Sequence, residues 1–230
     1  PVRTDDFSWM IGVNWSKNRN ELIRLDAGRS NLQLASFQGG VSLNATVGEP
    51  YGAFRGSDYV YVNGQKVVDE DGYYETANDQ VIGNIQADWI GGISNRLTYK
   101  NWSFNFLIDI KKGGDVYSLD QEYGLYTGIY PETAGLNDLG NPVRGALTGG
   151  ADSGGIILPG VFENGTANDV RIDASTAGAA YGNGAAPNKG FIYDASYTKL
   201  REVGLSYNLP TKFLERSFVK SMTVSVVGSN

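Results

Sequence analysis

The sequence predicts an all-β chain of antiparallel strands, and three features of its 230 residues carry that prediction. Apolar residues recur at every second position in several segments, the period of a strand and not the 3.6 of a helix. The composition, with 31 Gly, 14 Tyr and 19% charged residues, suits turns, bulges and aromatic contacts better than charged helices. The joins between periodic segments are alternately short and long.

The first element is residues 7–16, where Phe7, Trp9, Ile11, Val13 and Trp15 fall on one face and Ser8, Gly12, Asn14 and Ser16 on the other. A weaker alternation follows through Val41, Leu43, Ala45 and Val47, and residues 22–37 between the two are ambiguous. Residues 58–68 read as a small hairpin flap, because Asn63-Gly64 supplies the two positive-φ positions of a type I′ turn. From 89 to 99 the odd positions are Trp89, Gly91, Ile93, Asn95, Leu97 and Tyr99. After Lys100-Asn101 the even positions are Trp102, Phe104, Phe106, Ile108 and Ile110, so the pair reads as a hairpin with a tight turn. Residues 112–190 lose all periodicity and read as one long loop, a length that in a compact domain marks function or disorder. Alternation returns in 193–209 and, past a short connection at Pro210, from Met222 to the end.

Composition removes several classes of function. The chain has no Cys and no His, which excludes disulfides, thiolate nucleophiles, imidazole bases and most zinc sites. A net charge of -6 leaves no source for the cationic grip on a phosphate backbone, so no nucleic-acid partner is expected. No stretch approaches the ~18 consecutive apolar residues of a membrane helix, but strands of ~9–11 alternating residues also cross membranes and leave hydropathy unremarkable. The chain opens at Pro1 with neither a start Met nor a targeting segment, the pattern of a mature chain or an excised piece.

A soluble β-sandwich with aromatic rows turned into its core alternates in the same way as a membrane wall. Three details favour lipid. Eight steps of ~3.3 Å tilted by ~40° carry residues 7–15 through roughly 20 Å, near the ~25 Å apolar band of an outer-membrane barrel. Phe7 and Trp15, Trp89 and Tyr99, and Trp102 sit at strand ends, as an interfacial girdle requires. Short turns on one side and long loops on the other complete the pattern. The fold expected is therefore an antiparallel transmembrane β-barrel fragment of about six strands, a piece of something larger because an open sheet in hydrocarbon leaves unpaired edges. Its membrane-facing residues would be Phe7, Trp9, Ile11, Val13, Trp15, Trp102, Phe104, Phe106 and Ile108.

Particular stretches add a resemblance. They are Phe7-Ser8-Trp9 with Asn14 and Lys17-Asn18-Arg19-Asn20; Gly48-Glu49-Pro50-Tyr51-Gly52 with Gly56; Ile82-Gly83-Asn84; Asp88-Trp89-Ile90-Gly91-Gly92; Tyr99-Lys100-Asn101; Gly113-Gly114; and Tyr193-Asp194-Ala195-Ser196-Tyr197-Thr198-Lys199-Leu200-Arg201-Glu202 leading into Leu205-Ser206-Tyr207-Asn208-Leu209-Pro210. Together these resemble the C-terminal part of the barrel in SusC/RagA-type TonB-dependent outer-membrane transporters, with Ala87 where that family often has Pro. The resemblance implies a roughly 22-stranded barrel in the outer membrane of a Gram-negative bacterium, plugged by an N-terminal domain. It also implies import of oligosaccharide or peptide with a SusD-like surface lipoprotein as lid and the TonB complex as energy coupler. On this reading residues 1–230 are the C-terminal portion of the barrel, 112–190 an extracellular loop, and the plug and final strand lie outside the chain. No enzymatic activity and no cofactor are implied.

Candidate ligand-binding residues lie in that loop: Tyr117, Tyr123, Tyr126 and Tyr130, with Glu122 and Glu132 nearby, aromatic faces and carboxylates of the kind that hold a sugar. The alternative is that the same rings pack the loop on itself. Asp69-Glu70-Asp71-Gly72 lacks the ligand spacing of a calcium loop, and no metal is expected there. Lys199, Arg201 and Glu202 interrupt the apolar alternation and point to an ion pair at the loop base or a lumenal position. Gly182-Asn183-Gly184 lacks a nucleotide-binding context, and the Asn-x-Ser/Thr matches at Asn14, Asn44, Asn101 and Asn164 read as chance. The competing functions are a soluble or surface-attached glycan-binding β-sandwich, with the tyrosines as its site, and a glycosidase, for which no two acids are visibly paired.

Overall fold

The computed structural model describes residues 2–230. In chain order the strands are β1 (Val2–Arg3), β2 (Phe7–Ser16), β3 (Asn31–Ser36), β4 (Ser42–Thr46), β5 (Ala53–Tyr59), β6 (Tyr61–Val62), β7 (Gln65–Lys66), β8 (Thr76–Asn84), β9 (Trp89–Tyr99), β10 (Trp102–Lys112), β11 (Asp115–Tyr117), β12 (Ile192–Asp194), β13 (Tyr197–Asn208) and β14 (Thr223–Ser229). The longer helix is α1 (Leu119–Thr127). The chain divides into two units, one made of Pro1–Arg19, Ala87–Gly114 and Ala195–Asn230, the other of Asn20–Gln86 and Asp115–Asp194.

The first unit is an antiparallel sheet in the order β1-β2-β9-β10-β13-β14. Its registers line up the alternating sequences into rows. Phe7, Tyr99, Trp102, Tyr207 and Val224 are successive neighbours across five strands, as are Trp9, Leu97, Phe104, Leu205 and Val226. Further along come Ile11, Asn95, Phe106 and Val203, then Val13, Ile93, Ile108 and Leu200. Because the side-chain period is two, these rows share one face, and all nine residues expected to face the membrane are on it. The opposite face carries the row Ser8, Thr98, Ser103, Ser206 and Ser225. None of the nine is buried; Val13 is 72% exposed and Trp15 64%. Among the described residues no second layer of side chains buries these rings. The one amide on it, Asn95, is held by Trp9, whose Nε1 donates to Asn95 Oδ1 at 3.1 Å.

A bulge in β13 reconciles the consecutive polar residues Arg201 and Glu202 with the alternation. Leu107 pairs with Glu202 but Ile108 pairs with Leu200, which leaves Arg201 as the extra residue. Leu200 thereby returns to the apolar face while Glu202 and Lys199 stay on the polar one. Lys100, with φ +51, makes the turn from β9 to β10, as the sequence predicts.

The second unit contains the four-stranded sheet β3-β4-β5-β8 and the pairs β6-β7 and β11-β12. Val41, Phe54 and Ile82 form one buried cluster, with Leu43, Tyr117 and Ile192 packed against it. Leu158, Ile172, Ala174 and Ala180 form another, covered by Tyr73, Tyr74 and Tyr181. Asn63 and Gly64, at φ +50 and +79, turn β6 into β7, the expected hairpin.

Four expectations need correction. The segment 193–209 is two strands: Ala195 N–H donates to Gly114 O and Ser196 Oγ accepts from Gly113 N–H, so backbone that would continue a ladder is spent where Gly113 and Gly114 take positive φ. The alternation at 41–47 does form β4, but β4 lies in the second unit, where its Asn44 is buried and bonded to Asn31 and Ser42. The connection after Pro210 is not short, since β13 ends at Asn208 and β14 begins at Thr223. Residues 112–190 are not featureless: they hold β11, α1, short 3-10 turns and the second buried cluster.

Candidate functional site

Five of the six candidates, Tyr117, Glu122, Tyr123, Tyr126 and Tyr130, lie in or beside α1, and Glu132 follows in a 3-10 turn at Pro131–Thr133. Ser118 caps the helix through Oγ, which accepts from Gln121 N–H at 3.3 Å, and Asp120 places negative charge in the first turn, where the helix dipole favours it. Gly128 ends it in the left-handed conformation at φ +76. Gly124 sits mid-helix because the Tyr130 ring lies where a Cβ would go.

Only part of this set is presented to solvent. Tyr123 and Tyr126, three residues apart and therefore neighbours on the helix surface, are exposed, and the Tyr126 ring lies across Gly178. Tyr130 packs on Gly124 and its hydroxyl donates to Asp120 O at 3.4 Å. Glu122 is fully buried. Its Oε2 lies 2.5 Å from the Tyr117 hydroxyl, which also donates to Gln38 O at 3.0 Å, and its Oε1 has no hydrogen-bond partner. Burial pushes the Glu122 carboxyl above the ordinary carboxylate range, with the Tyr117 hydrogen bond acting the other way. Burial and the adjacent carboxylate push the Tyr117 hydroxyl up as well. Of the expected site residues, Glu122 is thus interior and paired with the half-buried Tyr117, and Tyr123 and Tyr126 form the accessible face.

Beside them lies an open cleft of about 570 Å³ lined by Phe37, Phe54, Ile85, Val116, Tyr117 and Leu119, with the polar groups of Ser36, Gln38 and Asp115. A mostly apolar recess with few polar groups is the usual composition of a small-ligand site. Phe37, whose ring is 6.4 Å from those of Phe54 and Tyr117, was not singled out from sequence. Its segment had given no clear period, because the β3-β4 pairing slips between Gln33 and Ala35.

The polar face of the first unit offers a second set. Arg201 Nε donates to Asp109 Oδ2 at 2.8 Å, and the Tyr197 hydroxyl donates to the same oxygen at 3.1 Å. This is the ion pair that the break in alternation pointed to, and the bulge is what brings Arg201 to it. Asn105 Nδ2 donates to Glu202 Oε1 at 2.8 Å, and both border a shallow recess with Arg96, Ser94 and Met10. Lys and Arg predominate over acids in the first unit, while most Asp and Glu lie in the second. Among the described residues no group of three or more acids could hold a metal ion, and the Asp69 carboxylate is used locally, accepting from the N–H groups of Asp71 and Tyr73.

No protein-family model matches the chain. Two curated proteins of Formosa agariphila do: TonB-dependent receptor P26, 27% identical over 250 residues, and TonB-dependent receptor P3, 25% identical over 256 residues. Each match covers all of this chain, but only 23% and 22% of those proteins, so the chain spans less than a quarter of its relatives' length. Among solved structures it is similar in fold to the RagAB peptide importer. In the closed-closed state the identity is 18% and the TM-score 0.59, and in the open-open state 16% and 0.59. All of this chain is covered, with 24% and 23% of the respective importer chains. The motifs quoted above therefore point to the same group as whole-chain comparison: the relatives are TonB-dependent receptors and the similar folds are RagAB transporters.

Proposed function

We propose that the chain is a wall segment of a TonB-dependent outer-membrane nutrient importer, the C-terminal portion of a barrel whose plug and remaining strands are supplied by a longer polypeptide. The face carrying Trp9, Val13, Phe104 and Leu205 meets acyl chains, and the face carrying Ser103, Ser206, Asn105 and Glu202 meets the water-filled interior. Residues 112–190 then form an extracellular loop. A SusD-like lipoprotein closes over it, and the TonB complex acts on the part of the polypeptide beyond this chain. The cargo is an oligosaccharide or a peptide; Tyr123, Tyr126 and the cleft beside Tyr117 offer ring faces and an apolar recess that suit either.

The observation that supports this most is the apolar face, aligned over five strands and interrupted by the single amide Asn95, which Trp9 holds. In the full-length transporter, Leu205→Arg and Ser206→Arg place the same charge at adjacent positions on opposite faces. An Arg on the lipid side of a barrel costs about 2–4 kcal/mol at mid-membrane and less toward the interface, where Leu205 is one row in from Tyr207, and one on the lumenal side costs little. Folding into lipid vesicles should fail or weaken for Leu205→Arg alone; equal effects at both positions would refute the orientation. The mouth is tested separately, by replacing Tyr123 and Tyr126 with Ala and measuring cargo affinity by calorimetry. Unchanged affinity would remove these rings from the site.

A further inference from the structure

The connection from β13 to β14 is a folded loop with an unusual surface. Its neck is closed by Leu209 N–H donating to Met222 O at 2.9 Å. Inside, Phe213 N–H donates to Pro210 O, Leu214 N–H to Thr211 O and Ser217 N–H to Leu214 O, which makes a compact Ω-type loop. Such a loop ordinarily hides its apolar side chains, yet Phe218 is 97% exposed and Phe213 68%. Around them stand Lys212, Arg216 and Lys220, all exposed, against the single acid Glu215. Among the described residues none of the three cations is in an ion pair, and Lys212 Nζ lies 5.2 Å from the centre of the Phe213 ring. Asn101 Nδ2 donates to Asn208 O at 2.7 Å and Asn208 N–H to Asn101 O, which ties the loop base to the β9-β10 turn. The loop therefore emerges beside the row Phe7, Tyr99, Trp102 and Tyr207, where the Trp102 and Tyr207 rings lie 4.5 Å apart.

We infer that this loop is a membrane-surface anchor whose partner is anionic phospholipid. Phe213 and Phe218 enter the boundary between headgroups and acyl chains, and Lys212, Arg216 and Lys220 pair with lipid phosphates. The charge pattern selects this occupant. A protein partner would have to bring at least two uncompensated acids as well as an apolar recess, whereas a lipid surface presents both a layer of phosphates and an apolar layer beneath it. The inference rests on the wall reading proposed above, which sets the adjoining aromatic row at the membrane interface.

The chain has no Cys, so single cysteines report cleanly once any elsewhere in the full-length transporter are replaced. A polarity-sensitive fluorophore on Phe218→Cys is compared in nanodiscs of phosphatidylcholine and of phosphatidylcholine with phosphatidylglycerol, using doxyl-labelled lipid as quencher. Quenching should be strong with phosphatidylglycerol and weak without it. Neutralising the cations as Lys212→Gln, Arg216→Gln and Lys220→Gln should lower the docked-to-undocked ratio about fivefold each, roughly a hundredfold together. No difference between the two lipid compositions would overturn the inference. A probe on Val13→Cys separates the two claims. If position 13 is quenched and 218 is not, the anchor fails and the wall stands; if neither is quenched, both fail.

Discussion

Replacing Glu122 by Gln should remove a pH dependence that is built into the second unit. The Tyr117 hydroxyl has one proton and two acceptors in reach, Gln38 O at 3.0 Å and Glu122 Oε2 at 2.5 Å. If Tyr117 donates to Gln38, only a protonated Glu122 can supply the proton for the shorter contact. If Glu122 is ionised, Tyr117 must turn to it, Gln38 O loses its donor and the charge is left with Oε1 unpartnered. The neutral acid is the species that fits, in agreement with the upward push of burial on its carboxyl. The sign follows from linkage. A carboxyl raised above its unfolded value of about 4.3 binds more protons when folded, so stability is full below that pH and declines as pH rises toward the folded value, by about 1.4 kcal/mol per unit. Above the folded value the loss is constant. A Gln donates from its amide as the protonated acid would and has no such dependence. Hydrogen exchange of the α1 amides, corrected for intrinsic chemistry, reads local opening directly. In the native protein, opening should increase about tenfold per pH unit across that window, while in Glu122→Gln it should stay flat. A flat native profile, or faster opening of the Gln variant at pH 7, would refute the reasoning.

Other perturbations follow from the same geometry. Tyr117→Phe removes the hydroxyl that is the hydrogen-bond partner of Glu122, and unsatisfied buried groups of this kind cost about 1–3 kcal/mol, so α1 should exchange about ten- to a hundredfold faster at neutral pH. Gly39→Ala forces a side chain into φ +81 and against Tyr117 and Glu122, and should destabilise the same region by about 1 kcal/mol or more, visible as a loss of exchange protection in α1 and β11. Gly64→Val breaks the β6-β7 turn, where positive φ is required, and should raise proteolytic nicking there while leaving the β9-β10 hairpin protected.

The six-stranded sheet was legible in the sequence because β2, β9 and β10 each carry a strict period of two over ten or more residues, with rings at or near the strand ends. β13 was legible except at its start, where Ala195 and Ser196 bond to the Gly113-Gly114 turn and not to a neighbouring strand. The second unit resisted for a different reason. Its strands are short and its pairings slip, between Phe54 and Arg55 and again between Gly56 and Asp58 in β5-β8, and each slip shifts the phase of the pattern. Helix α1 did leave signals, a Ser cap, acids in the first turn and a closing Gly128, but Gly124 in its middle disguised them. Tyr117 and Glu122 were both legible as candidate ligand contacts. That one of them is interior follows from contacts with Gln38 and Gly39, about 80 residues away along the chain, which no local pattern reports.

The claim on which the rest depends is the direction in which the apolar face looks, and spin labels placed one at a time along β10 of the membrane-inserted transporter test it most directly. Labels at Phe104 and Phe106 should collide preferentially with lipid-dissolved oxygen, and those at Ser103 and Asn105 with a water-soluble nickel chelate, in strict alternation. An inverted alternation, or labels at Phe104 and Phe106 reached by neither reagent, would show that this face packs against protein or faces water.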